Sequence, residues 1–431
     1  MTKVIIPFIM ALIISLSACR APKELDFASS SPSNNIHNNA ETVIDEKVVN
    51  ILETIDFTND LASISIRNSF NYVVVDNVLY LYHDGGQLYH LNKATGFLTG
   101  MCDDPLCEHM TLICPNNKYQ IFHAVGYDKR IYIIGQQVLT EKENLYYEDF
   151  IGYYNVEEGQ YTVLESWETI MGYGTASPLQ IYNDELYYMK KVSDSSNQLW
   201  KSDLNKRNST VRVDNLDDVF LAGFVIKNDI IYFSDASKDA IYTVDMDFQN
   251  QQMLTTESIP IFSFINEDII CTNFGKYSII GVEWDIEEYV PSDTPFEIFT
   301  LSMQNLTQKT IIASHIQGAT SLRIDHGIIT ATPDRPTYLG MEIKDDKKIF
   351  YVNPNSGCIL ISKDQYESLQ LLDLSDGIGI DYSVSGVYYI DDSVCIVEFQ
   401  GRNKNKELEG IYLITDYYSE NRKFYRLNYE S

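Results

Sequence analysis

Three cysteines and a histidine, Cys102, Cys107, His109 and Cys114, fall within thirteen residues, and Pro115 follows the last of them. Thiolate and imidazole are the donors that zinc takes in tetrahedral array, and a Cys3His set is an accepted structural site. The gaps here are four residues, one and four, which departs from the usual knuckle spacing. With one residue between Cys107 and His109, only a loop can aim both at one ion. The competing chemistry is a disulfide, because an exported chain meets an oxidising compartment; three cysteines then leave one thiol over. The segment is polar and Pro-broken. It is therefore expected to be an excursion from a sheet edge, stapled from within by one bridge or one ion, and not core.

The elements that must position this loop are strands. A hairpin template is clearest at Asn228 to Asp245: a polar corner, an apolar strand Ile230 to Phe233, a polar turn, and an alternating strand Ile241 to Val244. Six more segments fit it, pairing residues 77–80 with 88–92, 130–132 with 152–155, 185–187 with 199–203, 268–271 with 298–302, 327–330 with 349–353, and 392–395 with 411–414. Residues at equivalent places, 80, 132, 187, 232, 271, 330 and 395, are spaced by 39 to 65. Another apolar run precedes each first strand and a polar–apolar stretch follows each second one. Four strands in such a period make a propeller blade, and 31 Tyr and 19 Phe suit pleated, half-buried surfaces. No helical period is evident after residue 60. The fold class expected is all-β: a β-propeller over residues 61–431 with seven four-stranded blades, or six or eight. Its last strand is expected at residues 423–429.

Ahead of the repeats, Met1 to Ala18 reads as an export signal, with Lys3 before an apolar core, Val4 to Leu16. That core is shorter than the about 20 residues a membrane span needs. It ends in Leu16-Ser17-Ala18-Cys19, which resembles the bacterial lipobox and implies that Cys19 becomes the lipidated first residue, with acyl groups such as palmitate holding it to the membrane. Residues 19–60 read as a Ser-, Asn- and Pro-rich tether with a short helix over residues 42–55, which either packs on the domain or extends the stalk.

The formal charge is −29. Such a surface repels nucleic acid and anionic lipid, both of which demand Lys and Arg; it attracts cations or basic partners, or, on the reading the composition favours, merely keeps an exported chain soluble. Cys271, Cys358 and Cys395 lie in or beside apolar strands and read as small core residues. His83, His90 and His123 read as edge or core residues. Glu157-Glu158 and Glu287-Glu288 are paired carboxylates, but neighbours on a strand point to opposite faces, so solvated positions suit them better than glycoside hydrolysis. Gly-x-Ser-x-Gly, His-Glu-x-x-His and the EF-hand loop do not occur.

The Cys-x4-Cys-x-His-x4-Cys-Pro segment after an early blade, with the lipobox, the tether and the Asp-x-Ile-Tyr-Tyr repeats, resembles a group of surface lipoproteins of Firmicutes, especially clostridia. The blades are loosely similar to the propeller of the Tol–Pal system, TolB. These resemblances imply architecture and location and supply no activity. The function expected is therefore non-catalytic: a monomeric propeller, lipid-anchored at the outer face of the cell membrane, that binds a peptide, a glycan or an envelope protein, with no cofactor beyond a structural zinc at the Cys/His segment. The alternative is a hydrolase or lyase acting on cell-envelope glycans.

Overall fold

The computed structural model describes residues 46–57 and 70–429, apart from 84–85, 103–113, 142–143, 170–178, 194–195, 214–220, 236–237, 239, 256–260, 266–267, 273–276, 281–287, 292–296, 315–318, 326–327, 334–357, 362–368, 373–381, 391–393, 402–409 and 417–422. Cys19, Cys107 and His109 lie outside the described residues. Residues 45–431 form one compact unit.

Short alternating segments rich in Val, Ile and Tyr form the strands, and tight polar corners reverse them. The corners Asp76-Asn77, Asp128-Lys129, Asn183-Asp184 and Asn228-Asp229 all hold two successive residues at φ between 44° and 61°. This is the backbone of the two-residue hairpin turn that matches strand twist, and Asn and Asp tolerate it best. The described strands fall into seven antiparallel sets of four, here sheets I to VII, over residues 70–100, 119–168, 179–212, 221–255, 261–314, 319–372 and 382–429. Sheet V carries an inserted hairpin, Tyr277–Ile280 with Glu288–Pro291.

The sheets close into a ring. The first strand of sheet I, Phe70–Val75, lies against that of sheet II, Tyr119–Tyr127, and so on through sheets III to VI. Strand Tyr382–Tyr389 of sheet VII then lies against sheet VI on one side and Phe70–Val75 on the other. Side chains on facing sheets interlock in separate apolar clusters, one in each wedge described. The chain is a β-propeller.

Six of the seven hairpins pair as the repeat predicts; Ile230↔Asp245 through Asp235↔Ala240 is the register of the template itself. The seventh is corrected. Strand Ile328–Pro333 pairs with Cys358–Ile361, not with residues 349–353, which lie outside the described residues. The two candidates are both short apolar runs, and periodicity alone does not separate them. Strand Lys423–Tyr429 ends the chain as expected. It pairs with Gly410–Thr415 in sheet VII and, over Asn428↔Phe97 and Tyr429↔Leu98, runs parallel to the outer strand of sheet I, Phe97–Gly100. Helix α1, Glu46–Thr54, packs on the ring, with Val48 and Leu52 buried.

Candidate functional site

Only two of the four residues of the Cys/His segment are described, and they sit at its ends. Cys102 is half-buried just past the outer strand of sheet I, its N–H donating to the Gly100 carbonyl at 2.9 Å. Cys114 is fully buried, and its carbonyl accepts from Asn117 and Lys118 at 3.0 and 3.1 Å, closing the helical turn Pro115–Lys118 ahead of sheet II. The expectation of an excursion free of the core is therefore corrected at this end. A small thiol is readily buried, and the Pro that breaks strand pairing serves as the first residue of a helical turn.

Burial raises the phenol of Tyr161 well above its ordinary pKa; Tyr154, Tyr119 and then the thiols of Cys114 and Cys102 raise it further. Tyr161 stacks on Tyr119 at 4.6 Å and meets Tyr154 edge-on at 4.9 Å. Its hydroxyl is out of reach of solvent and has no hydrogen-bond partner among the described residues. A buried hydroxyl left unbonded costs about 1–3 kcal/mol. Tyr89, raised by burial and then by Cys114, flanks the same place. Among the described residues no three His, Cys, Asp or Glu side chains converge as a metal set.

The sequence reading missed a second constellation, in the wedge between sheets II and III. Gln136, Asp149 and Trp167 lie opposite one another on three adjacent strands, so they share a face; Ile151 and Glu165 form the next row. Tyr188 and Lys190 come from strand Glu185–Ser193 of sheet III. Lys190 Nζ is 3.4 Å from Glu165 Oε1 and stands 4.5 Å from the centre of the Trp167 ring and 4.8 Å from that of Trp200. Two indole faces and a carboxylate hold this ammonium. Asp149 is buried and accepts from Gln136 Nε2 at 3.0 Å and Thr169 Oγ1 at 2.9 Å. Burial raises its pKa; those two bonds, Trp167 and the charge of Lys191 partly offset the rise. Burial also raises Tyr188, with Glu165 adding to it. Glu165 meets Lys190 through Oε1, while its Oε2 is buried with no hydrogen-bond partner among the described residues. What this arrangement does is bind sheet II to sheet III. Its signal in the sequence is the run Glu165-Ser-Trp167 followed by Lys190 and Trp200, but nothing local shows that these residues meet.

The remaining candidates are scattered. Glu157 and Glu158 are exposed on a turn, as the solvated reading expects, with Lys129 paired to Glu157. His90 and His123 are partly buried on strands of sheets I and II. Cys395 is buried in sheet VII; Cys271 and Cys358 lie in strands.

No family model and no curated protein matches the chain. Among solved structures it is similar to the GH74 enzyme of Niastella koreensis, at 10% identity over 84% of this chain and 55% of that one, with a TM-score of 0.49. It is similar to a prolyl endopeptidase at 10% identity over 88% and 51%, with a TM-score of 0.49. It thus spans about half the length of both. Similarity to the putative TolB of Agrobacterium tumefaciens is at 13% identity over 58% and 88%, with a TM-score of 0.33.

Proposed function

We propose that this chain is a propeller lipoprotein, held at the outer face of the cell membrane through lipid on Cys19, whose role is to bind a peptide, a glycan or an envelope protein. The observation that carries this is helix α1: the segment that follows the polar stretch is built into the ring, with Val48 and Leu52 buried. Whatever holds Cys19 therefore holds the propeller. Residues 20–45, as a polar coil, would span roughly 28 Å, enough to keep a domain of this size clear of the bilayer. The charge of −29 favours a basic partner. The Lys190–Glu165 pair, with Trp167 and Trp200 about the ammonium, joins sheets II and III, which supports reading the propeller as a rigid binding scaffold.

The test is fractionation of cells expressing the full chain. The native protein is expected with the membranes, extractable only by detergent, and Cys19→Ala in the soluble exported fraction. Unchanged membrane partitioning of Cys19→Ala would overturn the anchoring.

Within the same reading the segment from Cys102 to Cys114 acts as a staple between sheets I and II, either as a disulfide or as structural zinc on Cys102, Cys107, His109 and Cys114. Native mass spectrometry without reductant distinguishes the two. A chelator-sensitive ion at one equivalent supports zinc, a mass lower by two protons supports the bridge, and three unmodified thiols without metal count against both.

A further inference from the structure

Sheets I and VII come from opposite ends of the propeller, and a third element fills the seam between them. One apolar cluster combines Val48, Leu52, Ile55 and Phe57 with Leu79, Leu91 and Leu98 of sheet I and Tyr388, Ile396 and Leu413 of sheet VII. Val48, Leu52 and Ile55 recur at the helical spacing that lines one face. The segment is also pinned by polar contacts. Phe57 N–H donates to Asn77 Oδ1 at 2.8 Å, Lys93 Nζ donates to the Ile55 carbonyl and to Asn77 Oδ1 at 2.6 Å each, and the same ammonium lies 4.5 Å over the Phe57 ring. Gly96, at φ 74°, is the close approach that admits the helix; a Cβ there would stand 2.9 Å from Val48 Cγ1.

The direct bonds between the two sheets are few by comparison. The backbone ladder has two register pairs, and the inner strands meet at Tyr72 and Tyr388, whose rings lie 3.8 Å apart. Phe57 extends this pair, with its ring 6.1 Å from that of Tyr388. The segment thus touches both sheets, and without it the described joints between them are the short ladder, the Tyr72–Tyr388 and Tyr89–Tyr429 ring pairs and the remaining apolar contacts of the cluster, among them Leu81, Ile411 and Leu427.

We infer that residues 46–57 are a clasp on the seam between the first and last sheets, so that the ring opens at this seam first when the clasp is withdrawn. The clasp is an amphipathic helix in an apolar groove, a common mode of peptide recognition. A partner that captures the helix, or a pull from the residues before it, therefore acts on ring closure. The seams of sheet III with sheets II and IV, held by side-chain bonds between consecutive sheets, stay shut. This does not depend on lipid at Cys19, because the contacts lie within residues 46–429.

Hydrogen exchange read by mass spectrometry on the full chain tests it, comparing native protein with Leu52→Asp and with the milder Leu52→Ala, which retains an apolar helix if the first variant fails to fold. The clasp predicts that strands Phe70–Val75 and Gly410–Thr415 exchange about tenfold faster or more in the variants, while Leu221–Lys227 and Ile230–Asp235 of sheet IV keep native protection. Equal acceleration in every sheet would make the helix a part of global stability only and overturn the clasp. Unchanged exchange at the seam in Leu52→Ala would overturn it as well.

Discussion

Sheets II, III and IV follow one another in the chain and are joined by polar latches. Gln180 of sheet III donates to the Ile226 carbonyl of sheet IV at 2.9 Å and accepts from its N–H at 2.8 Å, standing in for a strand partner. Tyr182 donates to Asp229 at 3.0 Å and accepts from its N–H at 2.8 Å, and Tyr127 bonds Asp184 in the same place one sheet earlier. Those wedges are packed with apolar side chains as well, whereas sheets I and VII add to their apolar wedge a helix set between them. The difference follows from chain length. Consecutive sheets are separated by about ten residues, sheets I and VII by nearly three hundred. Closing a gap about thirty times longer costs roughly 3 kcal/mol more. Burying two side chains such as Val48 and Leu52 yields about 1.5–3 kcal/mol each, enough to offset it. Specific bonds align sheets that the chain already brings together; apolar area closes the ring.

The comparison can be broken first at the seam. Leu413 is fully buried in its cluster, and Leu413→Ala should cost about 3 kcal/mol, read as a lower urea midpoint. A latch should matter less. Gln180→Leu removes two bonds and leaves the Ile226 groups unpaired, at about 1–2 kcal/mol. If Gln180→Leu lowers the midpoint as much as Leu413→Ala, the contrast between the two kinds of joint does not hold.

The smallest effect concerns Asp149 in the wedge of sheets II and III. Burial raises its folded pKa above the ordinary carboxylate value. The folded state therefore holds the proton more tightly than the unfolded chain does. This contribution is fully present below the unfolded pKa and is lost as pH rises through the raised folded value. Native protein should show this falling slope of stability with pH, and Asp149→Asn should flatten it. Equal slopes in both proteins would mean that Asp149 is ionised throughout.

The hairpin period was legible because each blade is a local object. The Asn228-Asp229 corner, the strand Ile230–Asp235 and its partner Ala240–Asp245 lie within eighteen residues, so turn chemistry and alternation specify them together. Legibility failed at residues 327–361, where a long connection left two apolar runs equally eligible for one partner. It failed again at Cys114, whose polar neighbours in sequence gave no sign that its side chain is fully buried.

By itself the sequence determined the fold class, six of the seven hairpin pairings and the last strand, since these follow from periods of two and from corners that few residues can form. It also marked residues 42–55 as helical. Only the tertiary structure decided that this helix lies in the seam, that Lys190 stands between two tryptophans, and that Cys114 is buried. Those outcomes depend on which wedge faces which. Side chains tens to hundreds of residues apart set that, by fitting together once the ring has closed.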